Sequence, residues 1–440
     1  MIINKTLQVR NYILRMLESG TWTGGGKLPG ARVIAEANEV TLPIVQAVIE
    51  NLAQMGVLRT VPRNGTYVQE EWRQQILPYS FLSTANEFWR GTVDPLIAAE
   101  LPDLHLTRQF ERAAMEVRVT HHLLSMHDEF LDLAPLLDAC YPDRSLFIDN
   151  IFDPFYIDGK LCGIPLVYSS RLLLCDLELF ERAGCPPPVG SWSYQSLLDT
   201  IAVLRRKLPD HQCFALQNAL HFYSSFVFRS GGRFVDPAAA DPIRLDSPAT
   251  VSGLCRFAAL LRQSGFSAEA PAITADLDRC AIRIATRQVY AQLRAAHPKL
   301  RVAAVPLPFF EDGCDVNAMA AELLCVRRSC PHLELATDLI RVLLSEAVQD
   351  RFADVGFGIP VRKSSARKSI HFDSPVDLLF LSEAAKCTAR YDILTPELYQ
   401  AISAGVTNIV MLPPEEIPGA LHTLADALRT LQKYCDWRTE

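Results

Sequence analysis

The stretch from Lys27 to Val68 restricts the possible folds of this chain most, because it holds two short helical patterns and a hairpin pattern in succession. Apolar residues recur in both helical patterns at the spacing that places them on one face of a helix. These residues are Val33, Ile34 and Ala37 in the first helix and Ile44, Val45, Val48, Ile49 and Leu52 in the second. Two helices this close in sequence must cross at a tight turn.

Local signals mark where the second helix begins and ends. Thr41 followed by Pro43 predicts an N-cap, where a hydroxyl satisfies a free amide and the missing donor of proline costs nothing. Gly56 predicts the end of the helix. Two β-prone runs follow in LRTVPRNGTYV, and the joining residues 62–65 offer the positive φ that a tight hairpin requires. The pattern predicts a winged helix-turn-helix.

Residues 5–69 resemble the DNA-binding domain of the GntR family of bacterial regulators. The motifs that carry the resemblance are GGKLPGARVIA, VTLPIVQAVIENL and GVLRTVPRNGTYV. By this resemblance, the residues that contact operator DNA are Lys27, Arg32, Thr41, Gln46, Arg63, Asn64, Gly65 and Thr66. Arg32 would hold a phosphate or a base edge, and Gln46 could bond an adenine. Leu42 and Gln46 stand where the family has arginine, so the operator sequence stays open.

Charge is divided unevenly between this segment and the rest of the chain. Residues 1–69 hold seven Lys/Arg and four Glu, a net charge of +3, while the whole chain has −7, which leaves −10 for the remainder. A small basic head on an acidic body suits contact with DNA phosphates by the head alone.

Targeting signals and cysteine usage bear on the compartment. No run of about eighteen apolar residues occurs, and MIINKTLQVRNYIL lacks the layout of an export signal. The twelve cysteines show no framework spacing, so free thiols are expected. We expect a cytoplasmic protein without membrane association.

At 440 residues, the chain has room for about three domain-sized units. Strand and helix patterns alternate after residue 76, which favours an α/β sheet with largely parallel strands. The predicted elements are a strand in ILPYSFLS, a helix over 86–99, strands in PDLHLT and HHLLSMH, and a helix from Leu133. Further on they are a turn at Asp158-Gly159, a strand ending at 163–165, a strand from Leu172, a helix through Phe180 and a helix from Trp192 to Leu208.

The stretch 155–192 resembles the type II periplasmic solute-binding fold, particularly the family 1 sugar-binding proteins of ABC importers. The resemblance is carried by DGKLCGIP, LELFERAGCPPP and Trp192. Four further motifs occur in the family's order: LDLAPLL, FRSGGRF, ATDLIRVLLSEAVQDR and GIP. The family's Tyr-Asn is Cys175-Asp176 here. Together the motifs extend the resemblance over residues 75–430.

The two resemblances imply a multidomain chain. Residues 1–70 would form the winged helix-turn-helix (α+β), residues 71–76 a linker, and residues 77–440 a two-lobed α/β type II periplasmic-binding-protein-like fold. Lobe 1 would hold 77–170 and 282–328, and lobe 2 would hold 171–281 and 329–440. Hinges let such lobes close over a solute in the crevice between them.

Motif positions also imply the residues that line this crevice. They are Phe81, Ser83, His127, Asp128, Tyr168, Ser169, Gln217, His221, Arg287 and Tyr399. Aromatic rings stack on the C–H face of a sugar while planar polar groups bond its hydroxyls, so a mono- or oligosaccharide is the implied effector. Each aromatic residue of this set could instead be a core residue.

No cofactor, metal or catalytic site is expected. His121, His122 and His127 lack a matched acidic or cysteine partner for a metal, and Cys325 and Cys330 are expected to be buried thiols. The chain contains no G-x-S-x-G, G-x-x-x-x-G-K-(S/T) or H-E-x-x-H, and no G-x-G-x-x-G after a strand. We therefore predict that the protein is not an enzyme.

Two alternatives for the body stay open. Some GntR-type heads carry an aminotransferase-like body that binds pyridoxal phosphate through a lysine. The candidate lysines are Lys160, Lys207, Lys299, Lys363, Lys368 and Lys386. The other alternative is a fusion that binds no ligand.

Taken together, these patterns predict a cytoplasmic, ligand-responsive transcription regulator. Family analogy implies a homodimer, because paired heads match palindromic half-sites about one helical turn apart. A solute can change operator affinity only by binding differently to two arrangements of the body.

Overall fold

A computed structural model describes residues 5–84, 88–110, 112–124, 126–209, 213–215, 219–236, 239–265, 280–369, 374–388 and 396–435. The chain divides into two compact units. The first comprises Met1–Arg118, Phe130–Arg144 and Leu324–Val348, and the second comprises Val119–Glu129, Ser145–Leu323 and Gln349–Glu440.

The helices are α1 (Lys5–Glu18), α2 (Ala31–Ala37), α3 (Leu42–Gln54), α4 (Trp72–Ile76), α5 (Asp94–Glu100), α6 (Thr120–Leu124), α7 (Ala134–Cys140), α8 (Leu177–Ala183), α9 (Tyr194–Lys207), α10 (Leu220–Arg229), α11 (Pro248–Ser264), α12 (Arg287–Ala296), α13 (Leu333–Leu343), α14 (Glu346–Asp354), α15 (Lys363–Lys368), α16 (Pro375–Ala384), α17 (Pro396–Ile409) and α18 (Ile417–Cys435). Short 3₁₀ helices occupy Leu77–Tyr79, His127–Glu129, Arg144–Leu146 and Asp153–Phe155, and a π-helix occupies Trp89–Val93.

The strands are β1 (Leu58–Val61), β2 (Gly65–Val68), β3 (Ser80–Leu82), β4 (His105–Thr107), β5 (Met115–Val119), β6 (Tyr156–Ile157), β7 (Lys160–Leu161), β8 (Ile164–Ser169), β9 (Leu172–Asp176), β10 (Phe214–Ala215), β11 (Ile282–Ala285), β12 (Val302–Pro306), β13 (Asn317–Ala318), β14 (Ala320–Val326), β15 (Ile359–Pro360) and β16 (Cys387–Thr388).

The first unit begins with the predicted winged helix-turn-helix. Helices α1 and α3 turn their apolar faces toward one core, and the hairpin β1–β2 pairs antiparallel from Leu58 opposite Val68 to Val61 opposite Gly65. The buried residues of the two helices are Val9, Ile13, Leu14 and Leu17 in α1 and Val45, Val48, Ile49 and Leu52 in α3. The apolar face predicted for α3 is therefore confirmed as burial, with Ile44 only half-buried. In α2 the predicted face is wrong, because Ile34 is buried but Val33 is 56% exposed and Ala37 is exposed as well.

Ordered structure continues directly after the hairpin. Trp72 and Ile76 lie four positions apart on α4, and both are buried in the core shared by α1 and α3. The 3₁₀ helix Leu77–Tyr79 then leads into β3. Residues 72–76 of the predicted linker 71–76 thus form a helix, because two large apolar side chains on one face give it a surface to bury.

A short parallel sheet follows in the same unit. β3 pairs in parallel with both β4 and β5, with Ser80 opposite His105 and Phe81 opposite Met115. The π-helix and α5 form the crossover between β3 and β4. The predicted parallel α/β pattern is confirmed here.

In the second unit, β9 lies inside a four-stranded sheet of order β10–β11–β9–β12. β11 and β12 pair antiparallel with β9, and β10 pairs in parallel with β11. Strands β11 and β12 therefore lie in the same sheet as β9. The sequence analysis had instead assigned 282–328 to lobe 1, together with 77–170. Motif spacing shows where the chain returns, but it does not show which strand the returning segment joins.

Caps and turns in the second unit follow the sequence closely. Asp176 Oδ1 accepts hydrogen bonds from the amides of Glu178 and Leu179 at 3.0 and 3.2 Å, and Gly184 ends α8 at φ 67°. The turn between β6 and β7 has positive φ at both Asp158 and Gly159. The turn at Asp158-Gly159 confirms a prediction, because positive φ at such residues is a local signal. The caps of α8 at Asp176 and Gly184 were not predicted.

Two predicted strands are wrong. HHLLSMH begins in helix α6, and the strand of this region is β5 just before it. The strand predicted to end at 163–165 instead begins there as β8, in which every residue is buried. Short apolar runs without clear alternation fit a helix and a strand equally well, so periodicity could not separate them.

No described helix is long and apolar enough to span a membrane. The eleven cysteines whose side chains the structure describes are free thiols.

Candidate DNA-binding and ligand-binding sites

The solvent-facing side of α3 is the first candidate DNA-binding surface. Its residues Pro43, Gln46, Ala47 and Glu50 are exposed on the side opposite the buried face. α3 contains no lysine or arginine, and Glu50 is its only charged residue. A charged contact with a phosphate near this helix must therefore come from cations on other elements, whereas neutral donors such as the Gln46 amide lie on α3 itself.

Thr41 occupies the predicted N-cap position of α3, with extended backbone (φ −83°, ψ 151°). Its hydroxyl makes no capping hydrogen bond, so the predicted hydroxyl cap is wrong. A threonine cap bonds the amide of the second or third helical residue. Pro43 has no such amide, and the amide of Ile44 is bonded to the Thr41 carbonyl at 3.1 Å.

The hairpin β1–β2 forms the wing, and residue 27 extends it. Lys27 bridges to Tyr67, so it runs beside β2. The Lys27 ammonium lies 5.8 Å from the centre of the Tyr67 ring, and the Arg59 guanidinium lies 6.0 Å from it. Both distances suit cation–π contact, which holds two positive charges on one side of the wing.

Arg59 and Tyr67 are the residues of this surface that the sequence analysis missed. They lie directly opposite each other in the hairpin register. The turn predicted at 62–65 would pair Arg59 with Val68, whereas in the structure the turn is 62–64 and Gly65 already belongs to β2. The predicted register was therefore off by one residue.

Gly65 allows the tight end of the wing. It has φ 115°, and a Cβ at this position would lie 2.7 Å from Cε of Lys27. Arg63 in the same turn has φ 64°. A side chain at residue 65 would therefore strain the backbone and displace Lys27.

The eight predicted DNA-binding residues all lie in the described part of the winged helix. Lys27, Gly65 and Thr66 are neighbours at the wing, with the Leu28 amide bonded to the Thr66 carbonyl at 2.8 Å. The others are Arg63 and Asn64 in the wing turn, Arg32 in the first turn of α2, and Thr41 and Gln46 at the start of α3. Only Thr66 is partly buried, and the rest are exposed. Their contact with DNA stays a prediction.

Most of the predicted ligand-binding residues are buried. The exposed fraction is 0% for Phe81 and Ser169, 3% for Arg287, 5% for Ser83, 6% for Tyr168, 7% for Tyr399 and 8% for His127. Asp128 is exposed. Gln217 and the side chain of His221 lie outside the described residues.

The contacts of Arg287 account for nearly all of its hydrogen-bonding capacity. Its guanidinium pairs with Asp377 at 2.9 Å and donates to the carbonyls of Gly358, at 2.6 Å, and Ser369. Its backbone amide donates to Ser169 Oγ at 2.8 Å. Arg287 and Ser169, both predicted to bind ligand, thus serve the interior of the second unit in this structure.

Ser83 lies just beyond the carboxyl end of β3 and donates to Asp94 Oδ2 at 3.1 Å. Arg108, just beyond the end of the parallel strand β4, approaches the same oxygen at 3.5 Å. Burial raises the pKa of Asp94, which the bonds from Ser83 and Arg108 offset only in part. Sequence reasoning missed Asp94, because nothing in the chain order links it to Ser83.

The tyrosines of the predicted set lie in packed environments. Burial raises the pKa of Tyr168, which pairs with Ile359 across β8 and β15. Tyr399 belongs to the main apolar core of the second unit. Phe81 is likewise enclosed within β3 of the first unit. In this structure none of these rings presents an open face for a sugar to stack on.

The lysines considered for pyridoxal phosphate lie at or near the surface. Lys363, Lys368 and Lys386 form ion pairs with Asp149, Asp350 and Asp315 at 2.7 to 2.8 Å. Hydrogen bonds to Asp315 and Glu383 raise the pKa of Lys386. A Schiff-base lysine needs the opposite shift, since the neutral amine is the nucleophile. Among the described residues, no group of three His, Cys, Asp or Glu could hold a metal ion.

Two family models match the chain in the order of its predicted parts. The model of gntR-family bacterial regulatory proteins matches residues 5–68. The model of bacterial extracellular solute-binding proteins matches residues 119–376. Among curated proteins, one from Brucella abortus (strain 2308) that is named as a binding protein is 34% identical over 62 residues, and a Brucella suis biovar 1 protein matches equally. The match covers 14% of this chain and spans 15% of the length of these relatives.

Solved structures resemble most of the chain at low sequence identity. An ABC-transporter solute-binding protein from Thermotoga lettingae, bound to α-D-tagatose, has a TM-score of 0.67 and 17% identity over 80% of this chain and 98% of its own. A Listeria monocytogenes substrate-binding protein in complex with cycloalternan has 0.65 and 12% over 81% and 98%. UgpB from Mycobacterium tuberculosis in complex with glycerophosphocholine has 0.65 and 15% over 81% and 98%.

These likenesses confirm the predicted fold class, a winged helix followed by a large solute-binding-protein fold. Because the model of bacterial extracellular solute-binding proteins matches more than half of the chain, the chain belongs to that family, and its residues 5–68 form a gntR-family domain.

Proposed function

We propose that this protein is a transcription regulator that binds operator DNA through its winged helix and senses a small solute, a sugar, in its solute-binding domain. The observation that carries the proposal is the presence of both folds in one chain. A winged helix with an exposed recognition face and a cationic wing suits duplex DNA, and a solute-binding fold suits a small ligand.

A polyhydroxyl solute is the proposed effector class. The similar structures hold α-D-tagatose, cycloalternan and glycerophosphocholine, all of which present several oxygen acceptors or hydroxyls. The finer assignment to a sugar rests on these neighbours. The aminotransferase-like alternative is not favoured, because residues 119–376 have a solute-binding fold.

DNA binding can be tested on the full chain by selecting duplexes from a random pool and measuring affinity by fluorescence anisotropy. Arg32→Ala should weaken binding about tenfold, because an exposed phosphate or base contact is lost. Arg351→Ala removes an equally exposed cation from α14 and serves as the control. Failure of the unmodified protein to enrich any duplex would overturn the regulator proposal.

Solute binding can be tested by thermal shift against tagatose, maltose, mannotriose and glycerophosphocholine. A stabilising solute should act equally on the Arg32→Ala variant, because the winged helix and the solute site are separate. Stabilisation by glycerophosphocholine alone would move the effector class from sugars to phosphodiesters. No shift with any of the four would contradict the proposed solute class.

The proposal includes a cytoplasmic location, a homodimer and no catalytic activity. A dimer would place two winged helices on the two half-sites of a palindromic operator. Sedimentation of the purified chain with and without the selected duplex tests this state, and a monomer in both samples would refute it.

A further inference from the structure

The winged helix is held to the following parallel strands by two buried polar groups of α1. Arg10, only 4% exposed, donates to the carbonyls of Leu104 and Asp103 at 3.3 and 2.9 Å. Burial lowers the pKa of Arg10 to about 10, so it stays charged at neutral pH. A buried cation without acceptors is costly, so the two carbonyls fix α1 beside the chain entering β4.

The second polar group is Glu18, at the last turn of α1. Its Oε1 accepts from the hydroxyl of Thr107 at 2.7 Å and lies 2.9 Å from Nε2 of His105. Both partners are residues of β4, and both are buried. Hydrogen bonds to a carboxylate are among the stronger ones in proteins. The middle of α1, at Arg10, and its C-terminal end, at Glu18, are therefore both bonded to the segment 103–107.

Apolar packing joins the same two parts. Phe110 and Ala113, which follow β4, belong to the buried core of α1, α3 and the wing. The Phe110 ring lies 6.2 Å from that of Trp72 and 5.8 Å from that of His105. Separation of the winged helix would expose these side chains to water, which burial of apolar surface opposes.

The segment of chain that connects the winged helix to β3 is helical and packed. Between the wing and β3 the chain forms α4 and the 3₁₀ helix Leu77–Tyr79. Trp72, Ile76, Leu77 and Tyr79 all pack against the winged-helix core. The structure therefore has helical turns where a hinged DNA-binding head would need a flexible tether.

We propose that the winged helix and strands β3, β4 and β5 move as one rigid body, joined by a contact set that we call the α1–β4 joint. The joint consists of Arg10, Glu18, Trp72, His105, Thr107 and Phe110. A solute then acts on DNA affinity by displacing this whole body, not by swinging the winged helix alone. This last consequence rests on the proposed function.

Hydrogen exchange of the full chain tests the joint without any ligand. Thr107→Val changes only the β4 side. The peptides of α1 and α3, whose sequence is unaltered, should nevertheless exchange about tenfold faster or more, because they open as one unit with β4. Thr337→Val is the matched control, since it removes only a bond to Leu333 within α13. Faster exchange confined to residues 103–113 would overturn the proposal.

Glu18→Gln is a milder substitution, to be used if Thr107→Val does not fold. Glu18→Gln keeps the side-chain shape and removes the charge, and β4 peptides should then exchange faster although the substitution lies in α1. Unchanged exchange of β4 would count against the joint as firmly as the result above.

The regulatory consequence is tested with the selected duplex and tagatose, or the panel solute that gives the thermal shift. Glu18→Gln should reduce the ratio of duplex Kd values with and without that solute toward one, while the Kd for the solute stays at the wild-type value. An unchanged ratio would refute transmission through the joint. If the unmodified protein selects no duplex, the proposed function fails, and the exchange experiment still decides the joint.

Discussion

Arg287 shows how a residue that looks like a ligand-binding cation can belong to the interior. Its guanidinium bonds one carboxylate and two backbone carbonyls, and the residue is 3% exposed. Such a group fixes the segments around Asp377, Gly358 and Ser369 relative to α12. Buried arginines of this kind have a geometric role, because their planar donors bond several acceptors at once.

Arg287→Leu should destabilise the protein by about 3–5 kcal/mol, because it leaves the buried Asp377 carboxylate without its cation. Urea unfolding followed by circular dichroism measures the change. Arg351→Leu removes an exposed pair with Asp354, and it should alter the free energy of unfolding by less than about 0.5 kcal/mol. A small stability change in Arg287→Leu combined with lost solute binding would instead support the ligand role that the sequence implied.

Helix α18 illustrates how one side chain can anchor a whole element. Arg429 bonds Asp241 at 2.8 Å and Asp246 at 2.7 Å, which connects α18 to the loop before α11. The hydrogen bonds from Arg429 hold the pKa of Asp246 at about 2. The folded-state pKa is thus below the unfolded value of about 3.9, so this contribution is full above pH 4 and is lost as the pH falls toward 2.

The difference in unfolding free energy between the wild type and Arg429→Met should be about 1 kcal/mol, after allowance for solvent screening of a partly exposed pair. It should stay constant from pH 7 to about 5 and shrink between about pH 4 and 3. Urea titrations at these pH values measure it. Arg341→Met, which removes an exposed pair on α13, is the control, and a difference that persists unchanged at pH 3 would contradict the assignment to Asp246.

Elements with strong local signals were predictable from the sequence. The apolar period predicted α3, and turn residues that allow positive φ predicted the turn at 158–159 and, to within one residue, the turn of the wing. Elements such as α4 and β8, whose structure depends on partners distant in the chain, could not be predicted from the sequence. Trp72 and Ile76 of α4 are buried in a core that also holds Phe110 and residues of α1 and α3, and no pattern within residues 71–76 reveals those neighbours.

The candidate sites divide in the same way. Of the exposed cations of the wing, Lys27 and Arg63 were predicted from the family motif, whereas Arg59 was missed because the predicted turn was one residue too long. The ligand residues could not be predicted, because the identity of an aromatic residue does not show whether its ring faces solvent or core. Phe81 in β3 and Tyr399 in α17 are both buried in the core. Asp94 could not be predicted as a partner of Ser83, because the two residues meet only through the fold of the crossover between β3 and β4.

For the molecule as a whole, the proposed function carries a thermodynamic requirement. If a panel solute changes the Kd of the selected duplex by some factor, the duplex must change the Kd of that solute by the same factor. Regulators of this kind commonly show factors of about 5 to 150. Anisotropy and calorimetry measure the two factors independently. A solute that binds while leaving duplex affinity unchanged would show that both arrangements bind it equally, and the protein would not be its sensor.

The shared interior of α1, α4 and the stretch after β4 also limits how this chain could be assembled or re-engineered. A chimera in which residues 1–70 of this chain are replaced by another winged helix would lose Arg10 and Glu18. Their partners in residues 103–107 would then lack their hydrogen bonds. The transplantable module instead includes residues 103–113, although they lie beyond the gntR-family match. The end of the gntR-family match at residue 68 is therefore not an end of the folded body, because the same apolar core continues to Ala113.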